Sequence, residues 1–225
     1  MKLRGIAFMI ALAVVAAAQA QDTSLSPGIN RYYQSPDFER WQAMFETEGR
    51  EVFDKRREII AALEIRPGMS VADVGAGTGV FTLLFSRKVG GSGTAIAQDV
   101  SSEFLRGIEA RARQEKLANV RTVLGSERDA KLPAASVDLV FVCDTYHHFE
   151  YPQAMLASLH AALKPGGRLA VIDYEKTPGR SSAWVMGHVR AGRETVIAEI
   201  EAAGFRLHKS HALLRENFFV EFVRQ

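Results

Sequence analysis

The sequence predicts an α/β fold: a mostly parallel sheet with helices on both faces and a last strand that runs antiparallel. Three observations carry this. Beyond residue 65, short apolar runs alternate with amphipathic segments of helical length, the pattern of right-handed βαβ units. A glycine-rich turn, "VADVGAGTGVFT" from Val71 to Thr82, joins the first run to the first of these helices. Near the end, Phe205–Ser210 and Phe218–Arg224 are separated by only about seven residues. A parallel crossover needs about a dozen or more, so the final strand turns back antiparallel.

In chain order, residues 1–20 read as a signal peptide, 21–64 as a lead-in with cap helices and 65–225 as the main domain. Asp22 to Tyr33 has turn-forming residues and little periodicity. Phe38 to Leu63 predicts two helices meeting near Gly49, with Val52, Ile59, Ile60 and Leu63 on one apolar face. Pro67-Gly68 ends that part. The strand candidates are Ser70–Val74, Thr94–Gln98, Val120–Leu124, Val137–Cys143 and Leu169–Asp173, then the two terminal runs. Helices are predicted at Val80–Val89, Ser102–Lys116, Pro152–Leu163 and Glu194–Ala203. Leu105, Ile108 and Ala112 form the buried stripe of the second, and Leu156, Leu159 and Leu163 that of the third, where Pro152 suits the first turn.

Composition narrows the function classes. At 225 residues the chain suits one domain with a real core. A formal charge of +2 provides no field for nucleic acid, so no nucleic-acid partner is expected. One cysteine, Cys143, rules out an internal disulfide framework and a thiolate zinc site. Lys2 and Arg4, an apolar run from Ile6 to Ala18 and the small-residue triplet ending at Ala20 form a secretory signal pattern. The expected location is periplasmic or secreted, with no stable membrane insertion after cleavage. Losing Lys2 and Arg4 leaves 26 basic against 26 acidic residues.

A ligand on such a sheet binds at the carboxyl ends of the strands, near the point where strand order reverses. Gly75, Gly77 and Gly79 allow a sharp turn and close approach of a ligand, and the following helix offers free N–H groups. The spacing is G-x-G-x-G, with Val80 where the third glycine of the dinucleotide pattern would stand. Asp73 precedes the turn; a carboxylate there suits an ammonium and conflicts with a pyrophosphate. Asp99, at the end of the second strand, either accepts from ribose hydroxyls or caps the next helix. Glu127, Arg128 and Asp129 either flank a purine or are solvated loop charges.

The motifs "VADVGAGTG", "AQDV", "LPAASVDLVFVCDTYHHF" and "ALKPGGRLAVIDY" resemble, in order and spacing, the class I S-adenosylmethionine-dependent methyltransferases, over roughly residues 50–225. The resemblance implies a Rossmann-like seven-stranded sheet with the last strand antiparallel. It implies S-adenosyl-L-methionine as cofactor, with Asp73, Gly75, Ala76 and Gly77 on its methionine part and Asp99 and Val100 at its ribose. It implies that the Ser126–Asp129 turn, with Glu127 and Asp129, borders the adenine and that Asp144 lies beside the transferred methyl. "FETEGREVFDKR" resembles a cap helix of a related subset, in which Arg50 approaches the cofactor carboxylate. The activity implied is methyl transfer to a small-molecule acceptor. Two other readings stand beside it: a nicotinamide-dependent oxidoreductase, disfavoured by Val80 and Asp73, and a non-catalytic S-adenosylmethionine-binding module.

The stretch "CDTYHHFEYP", Cys143 to Pro152, sets the chemistry. His147, Asp144 and Tyr146 are the candidate catalytic residues. Methyl transfer from a sulfonium needs alignment more than activation, and a base only where the acceptor is a hydroxyl or a protonated amine. His147, nearer the strand end, is expected to face the acceptor, and His148 to face solvent or the next helix. No metal is expected, because adjacent histidines point apart and a third ligand is lacking nearby. Tyr146 and Phe149 either wall the pocket or pack on the sheet. Residues 175–193 form a lid that selects the acceptor, with Trp184 and His188 as its contacts.

The signal pattern generates the first prediction. N-terminal sequencing of the exported fraction should find chains that begin at Gln21. An intact Met1 on protein confined to the cytosol would rule export out.

Overall fold

The computed structural model describes residues 29–225. The predicted signal segment, 1–20, and the first part of the lead-in lie outside the described residues.

Seven strands form one sheet: β1 Ser70–Val74, β2 Thr94–Asp99, β3 Val120–Leu124, β4 Val137–Cys143, β5 Leu163–Tyr174, β6 Phe205–His211 and β7 Asn217–Arg224. Their spatial order is β3-β2-β1-β4-β5-β7-β6. Pairings among β1 to β5 are parallel, and β7 runs antiparallel to both β5 and β6. The short connection before β7 therefore acts as the sequence predicted. The chain winds outward from β1 to β3, then crosses back so that β4 flanks β1 on its other side. That reversal opens a crevice at the carboxyl ends of β1 and β4.

Strand alternation divides the core. Val140 and Val142 of β4 face one side, where they pack with Leu156, Leu159, Val196 and Ile200. Leu139 and Phe141 face the other, against Ile59, Leu63, Phe81 and Phe85. The period of two in β4 thus serves two helical layers at once. The first layer holds α6 (Pro152–Ala162) and α8 (Arg193–Ala202); the second holds α3 (Arg56–Ala62) and α4 (Val80–Val89). Helix α5 (Ser102–Gln114) buries the predicted Leu105, Ile108 and Ala112 and is capped by the Ser101 hydroxyl, which accepts from the Phe104 N–H.

Three expectations change. Phe38 to Leu63 forms three helices, α1 (Phe38–Phe45), α2 (Glu51–Asp54) and α3, because the chain breaks at Lys55 as well as around Gly49. Strand β5 starts at Leu163, where it already pairs with Val137, rather than at Leu169; the register shifts between Val137 and Leu139. Residues 175–193 are not all loop: α7 (Ala183–His188) lies inside, capped by the Ser182 hydroxyl, which accepts from the Val185 N–H.

Candidate functional site

A cavity of about 650 Å³ lies along the strand ends, lined by the glycine turn, the β2 and β4 termini, the lead-in and the lid. That volume falls within the range of about 300–1,000 Å³ usual for small-molecule sites. One end is carboxylate and glycine; the other is imidazole and aromatic.

At the first end, Asp73 is buried and accepts from Thr82, from its hydroxyl at 2.7 Å and from its backbone N–H. Among the described residues no basic side chain forms an ion pair with it. Burial raises its pKa to about 7, against the pull of Thr82, and Asp99 adds repulsion. Asp99 accepts from the Gly77 N–H and the Ser101 N–H, each at 2.9 Å, so its carboxylate shapes the turn it faces. Burial lifts its pKa to about 6 despite those bonds. Each oxygen keeps acceptor capacity for a ligand hydroxyl. Gly77 has φ +54, and a Cβ built there would stand 3.1 Å from the Phe45 ring. The turn therefore needs glycine for its backbone and its space.

Those features fit the implied cofactor. Asp73 is a buried carboxylate short of a positive partner, suited to an ammonium. Asp99 holds two backbone donors and presents to the cavity, suited to ribose hydroxyls. Gly75, Ala76, Gly77, Val100 and Glu127 also line the cavity. Asp129 does not: it is bound by the Lys131 N–H at 2.8 Å and pairs with the Lys131 side chain, which corrects its assignment to the adenine border.

Asp144 leaves β4 with φ +48, a left-handed turn, and lines the cavity. It accepts from Arg50 and from the Asn217 side-chain amide, each at 2.6 Å. Burial still pushes its pKa up, because it outweighs the Arg50 charge. Arg50 lines the cavity, where its guanidinium holds Asp144 and the Phe45 carbonyl.

At the second end, Tyr146–His148 forms a 3-10 turn directly after β4. His147 is buried, and its Nδ1 lies 2.7 Å from Asp173 Oδ1, while its N–H donates to Asp173 Oδ2. A carboxylate only accepts, so Nδ1 carries the proton and Nε2 is the free nitrogen. Burial pulls the His147 pKa down, but the charge and hydrogen bond of Asp173 outweigh it, and the net shift is upward. His148 does not face solvent or the next helix. The tight turn brings its ring to 4.2 Å from that of His147, the two planes tilted by 44°, and both line the cavity. Burial and the neighbouring imidazoles drive its pKa well down.

Tyr146 is not in the site. It is fully buried, its hydroxyl donates to Glu199 at 2.8 Å, and its ring packs on Phe149. Glu199 is held in turn by Arg190 at 2.6 and 2.9 Å. Tyr146 is therefore an anchor for the histidine turn, tying it to α8 and the end of the lid. Phe149, Trp184 and His188 do line the cavity, the last two stacked at 4.5 Å. Cys143 also lines it, its thiol kept neutral by burial.

Several residues escaped the sequence reading. Asp173 ends β5 in "VIDY", a strand-end carboxylate whose position beside β4 is a signal of the same kind as Asp99. Asn30, Tyr33, Trp41 and Phe45 come from the lead-in and α1, which cover the cavity rather than trailing loosely. Asn30 donates to the His148 carbonyl at 3.0 Å and to Glu150 at 3.1 Å. Nothing local in that segment shows a contact more than a hundred residues away.

The strained charge at Asp73 generates a prediction. Its folded pKa, about 7, stands above the usual 3.8, so the folded state holds the extra proton between those values. Ligand-free stability should therefore fall as pH rises through that window, by a few kcal/mol at most. Asp73→Asn cannot ionise. Thermal unfolding from pH 5 to pH 8 should show wild type losing ground steadily against this variant; parallel profiles would mean Asp73 is not strained.

Comparison with known proteins places these features in a family. Residues 71–167 match a family described as a methyltransferase domain. The chain is 32% identical over 122 residues, 54% of its length, to the ubiquinone/menaquinone biosynthesis C-methyltransferase UbiE of Marinomonas sp. (strain MWYL1), covering 49% of that protein. It is 28% identical over 156 residues, 69% of its length, to nocamycin O-methyltransferase of Saccharothrix syringae, covering 55% of it. The chain thus spans about half the length of these curated relatives. Among solved structures, a SAM-dependent methyltransferase from Aquifex aeolicus superposes with TM-score 0.75 at 26% identity, covering 84% of this chain and 100% of that one. Matched domain, strand order and the carboxylates at the strand ends point the same way, to a methyltransferase domain similar to the class I S-adenosylmethionine-dependent methyltransferases.

Proposed function

We propose that this protein transfers the methyl group of S-adenosylmethionine to a small-molecule acceptor seated among His147, His148, Tyr174, Trp184 and His188. One observation carries the reading: a single cavity joins the carboxylate-and-glycine end, which fits the cofactor, to an imidazole-and-aromatic end that the cofactor does not need. The two relatives named above are a C-methyltransferase of ubiquinone/menaquinone biosynthesis and a nocamycin O-methyltransferase, names that suit a small-molecule acceptor. The signal-like segment extends the reading to a protein that works outside the inner membrane.

The cofactor supplies a methyl on a sulfonium, with a neutral thioether as leaving group. The chain's own task is placement. Asp73 takes the ammonium, Asp99 the ribose hydroxyls, and Asp144 with Arg50 borders the reacting region. Held there, the cofactor would present its methyl carbon toward the imidazole-and-aromatic end, where these residues would align an acceptor atom with it. Where that atom carries a proton, His147 Nε2 receives it, with Asp173 holding the ring and its tautomer. Trp184 and Tyr174, their rings 5.4 Å apart, offer an apolar wall for a flat acceptor.

Labelled-methyl transfer from S-adenosylmethionine to a cell extract tests the activity. A labelled small molecule supports it. Tight cofactor binding with no transfer would favour the non-catalytic module, and titration that shows NAD but not S-adenosylmethionine binding would favour the oxidoreductase.

Two sets of variants probe the two ends. Asp99→Ala should weaken cofactor binding by about 1.5–3 kcal/mol, the scale of hydrogen bonds to a charged group. Gly77→Val should abolish binding, since its φ of +54 and the Phe45 ring leave no room. Near-wild-type affinity in both would move the cofactor elsewhere. His147→Ala should lower turnover by about 10²-fold or more with cofactor affinity almost unchanged; an equal loss of affinity would make His147 a structural residue instead.

A further inference from the structure

We propose that His147, His148 and His188 form a binding site for a divalent transition-metal ion of the zinc type, at the acceptor end of the cavity. One ring nitrogen from each lies within 4.8 Å of the others. Ring centroids are 4.2, 5.3 and 5.1 Å apart for the three pairs. Imidazole nitrogens around a tetrahedral ion at about 2.0–2.1 Å sit roughly 3.3 Å apart, so small side-chain rotations close the set. The third ligand that the sequence reading lacked comes from the far end of the lid, forty residues from the histidine pair, where no local spacing reveals it.

The two paired rings are oriented from behind, as metal-bound histidines are. His147 Nδ1–H donates to the Asp173 carboxylate at 2.7 Å. His148 Nδ1 lies 2.8 Å from Asn30 Oδ1. The Asn30 amide nitrogen is already spent on the His148 carbonyl and Glu150, which fixes its oxygen toward the ring and makes Nδ1 the donor. Both rings therefore keep Nε2 as the free lone pair. His188 is set by its stack on Trp184. All three side chains line the cavity, so an ion there is reachable from it.

The donor set selects the ion. Three imidazoles without a carboxylate oxygen suit Zn²⁺ and its neighbours, not Mg²⁺ or Ca²⁺. Three protein ligands also leave one position open, the arrangement of catalytic rather than structural zinc. An acceptor hydroxyl in that position would have its pKa lowered by the ion and would release its proton to solvent water, since His147 Nε2 would then be a ligand. That role rests on the proposed methyl transfer; the metal site itself does not.

The test uses the full mature chain, stripped with chelator and without cofactor. Calorimetric titration with Zn²⁺ should show one ion per chain. Co²⁺ in its place should give the visible bands of a tetrahedral or five-coordinate nitrogen site. His188→Ala and His148→Ala should each weaken Zn²⁺ binding by about 10-fold or more, with S-adenosylmethionine binding retained as evidence of folding. Asn30→Ala, which removes only the support behind His148, should weaken it less. Absence of binding in the wild type, or binding that both histidine variants leave unchanged, overturns the site. Methyl transfer assayed in parallel on the stripped and loaded protein keeps the two readings apart, since the metal site can stand or fall while transfer does the reverse.

Discussion

Carboxylates buried at the ends of parallel strands are the constraint on which the rest of the molecule depends. Asp73, Asp99, Asp144 and Asp173 close β1, β2, β4 and β5, and each is nearly or wholly out of solvent. A buried charge must be paired, hydrogen-bonded or neutralised. Each strand end solves this differently. Asp99 gathers two backbone N–H groups and so folds the glycine turn. Asp144 recruits Arg50 from the lead-in and Asn217 from β7. Asp173 recruits a histidine. Among the described residues Asp73 has only Thr82 as donor and no cation beside it, a deficit that a cationic ligand would repair.

The same constraint explains the N-terminal cover. Arg50 can hold Asp144 only if the chain before β1 folds across the strand ends. Phe45 follows it there, its ring 5.1 Å from the Arg50 guanidinium. Glu46 then reaches α5 and the glycine turn through Arg111, whose guanidinium also donates to the Thr78 carbonyl at 2.7 Å. An ion pair that is partly exposed contributes little by itself. Here the pairs matter for where they bring the aromatic side chains, which roof the cavity.

What the sequence made legible follows from how local each signal is. Strand and helix identity came through because alternation and helical periodicity are read within a single element, as in β4 and α5. The glycine turn, Asp73 and Asp99 came through because their roles follow from position at a strand end. Tyr146 was misplaced for a related reason: a residue two places beyond Asp144 shares its neighbourhood, but the 3-10 turn rotates its side chain into the core toward Glu199, fifty-three residues away. His148 was misplaced because adjacent side chains diverge in extended backbone, whereas this turn brings neighbouring rings together. Asp129 failed where a loop charge found its partner two residues along. The contacts of Asn30, and the approach of His188 to the histidine pair, were beyond reach, since each joins segments forty or more residues apart in the sequence.

The two ends of the cavity also differ in how they are built, and the difference bears on function. The cofactor end consists of strand termini and one turn fixed by Asp99, elements held by the sheet itself. The acceptor end is assembled from three separate pieces: the turn after β4, the lead-in carrying Asn30 and the lid carrying Trp184 and His188. Tyr146, Glu199 and Arg190 lock the first piece to α8 and to the lid's end, so that turn and lid share an anchor. A site made from strand ends is held in place by the sheet itself. A site made from connections can change its acceptor by changing a loop, without disturbing the sheet.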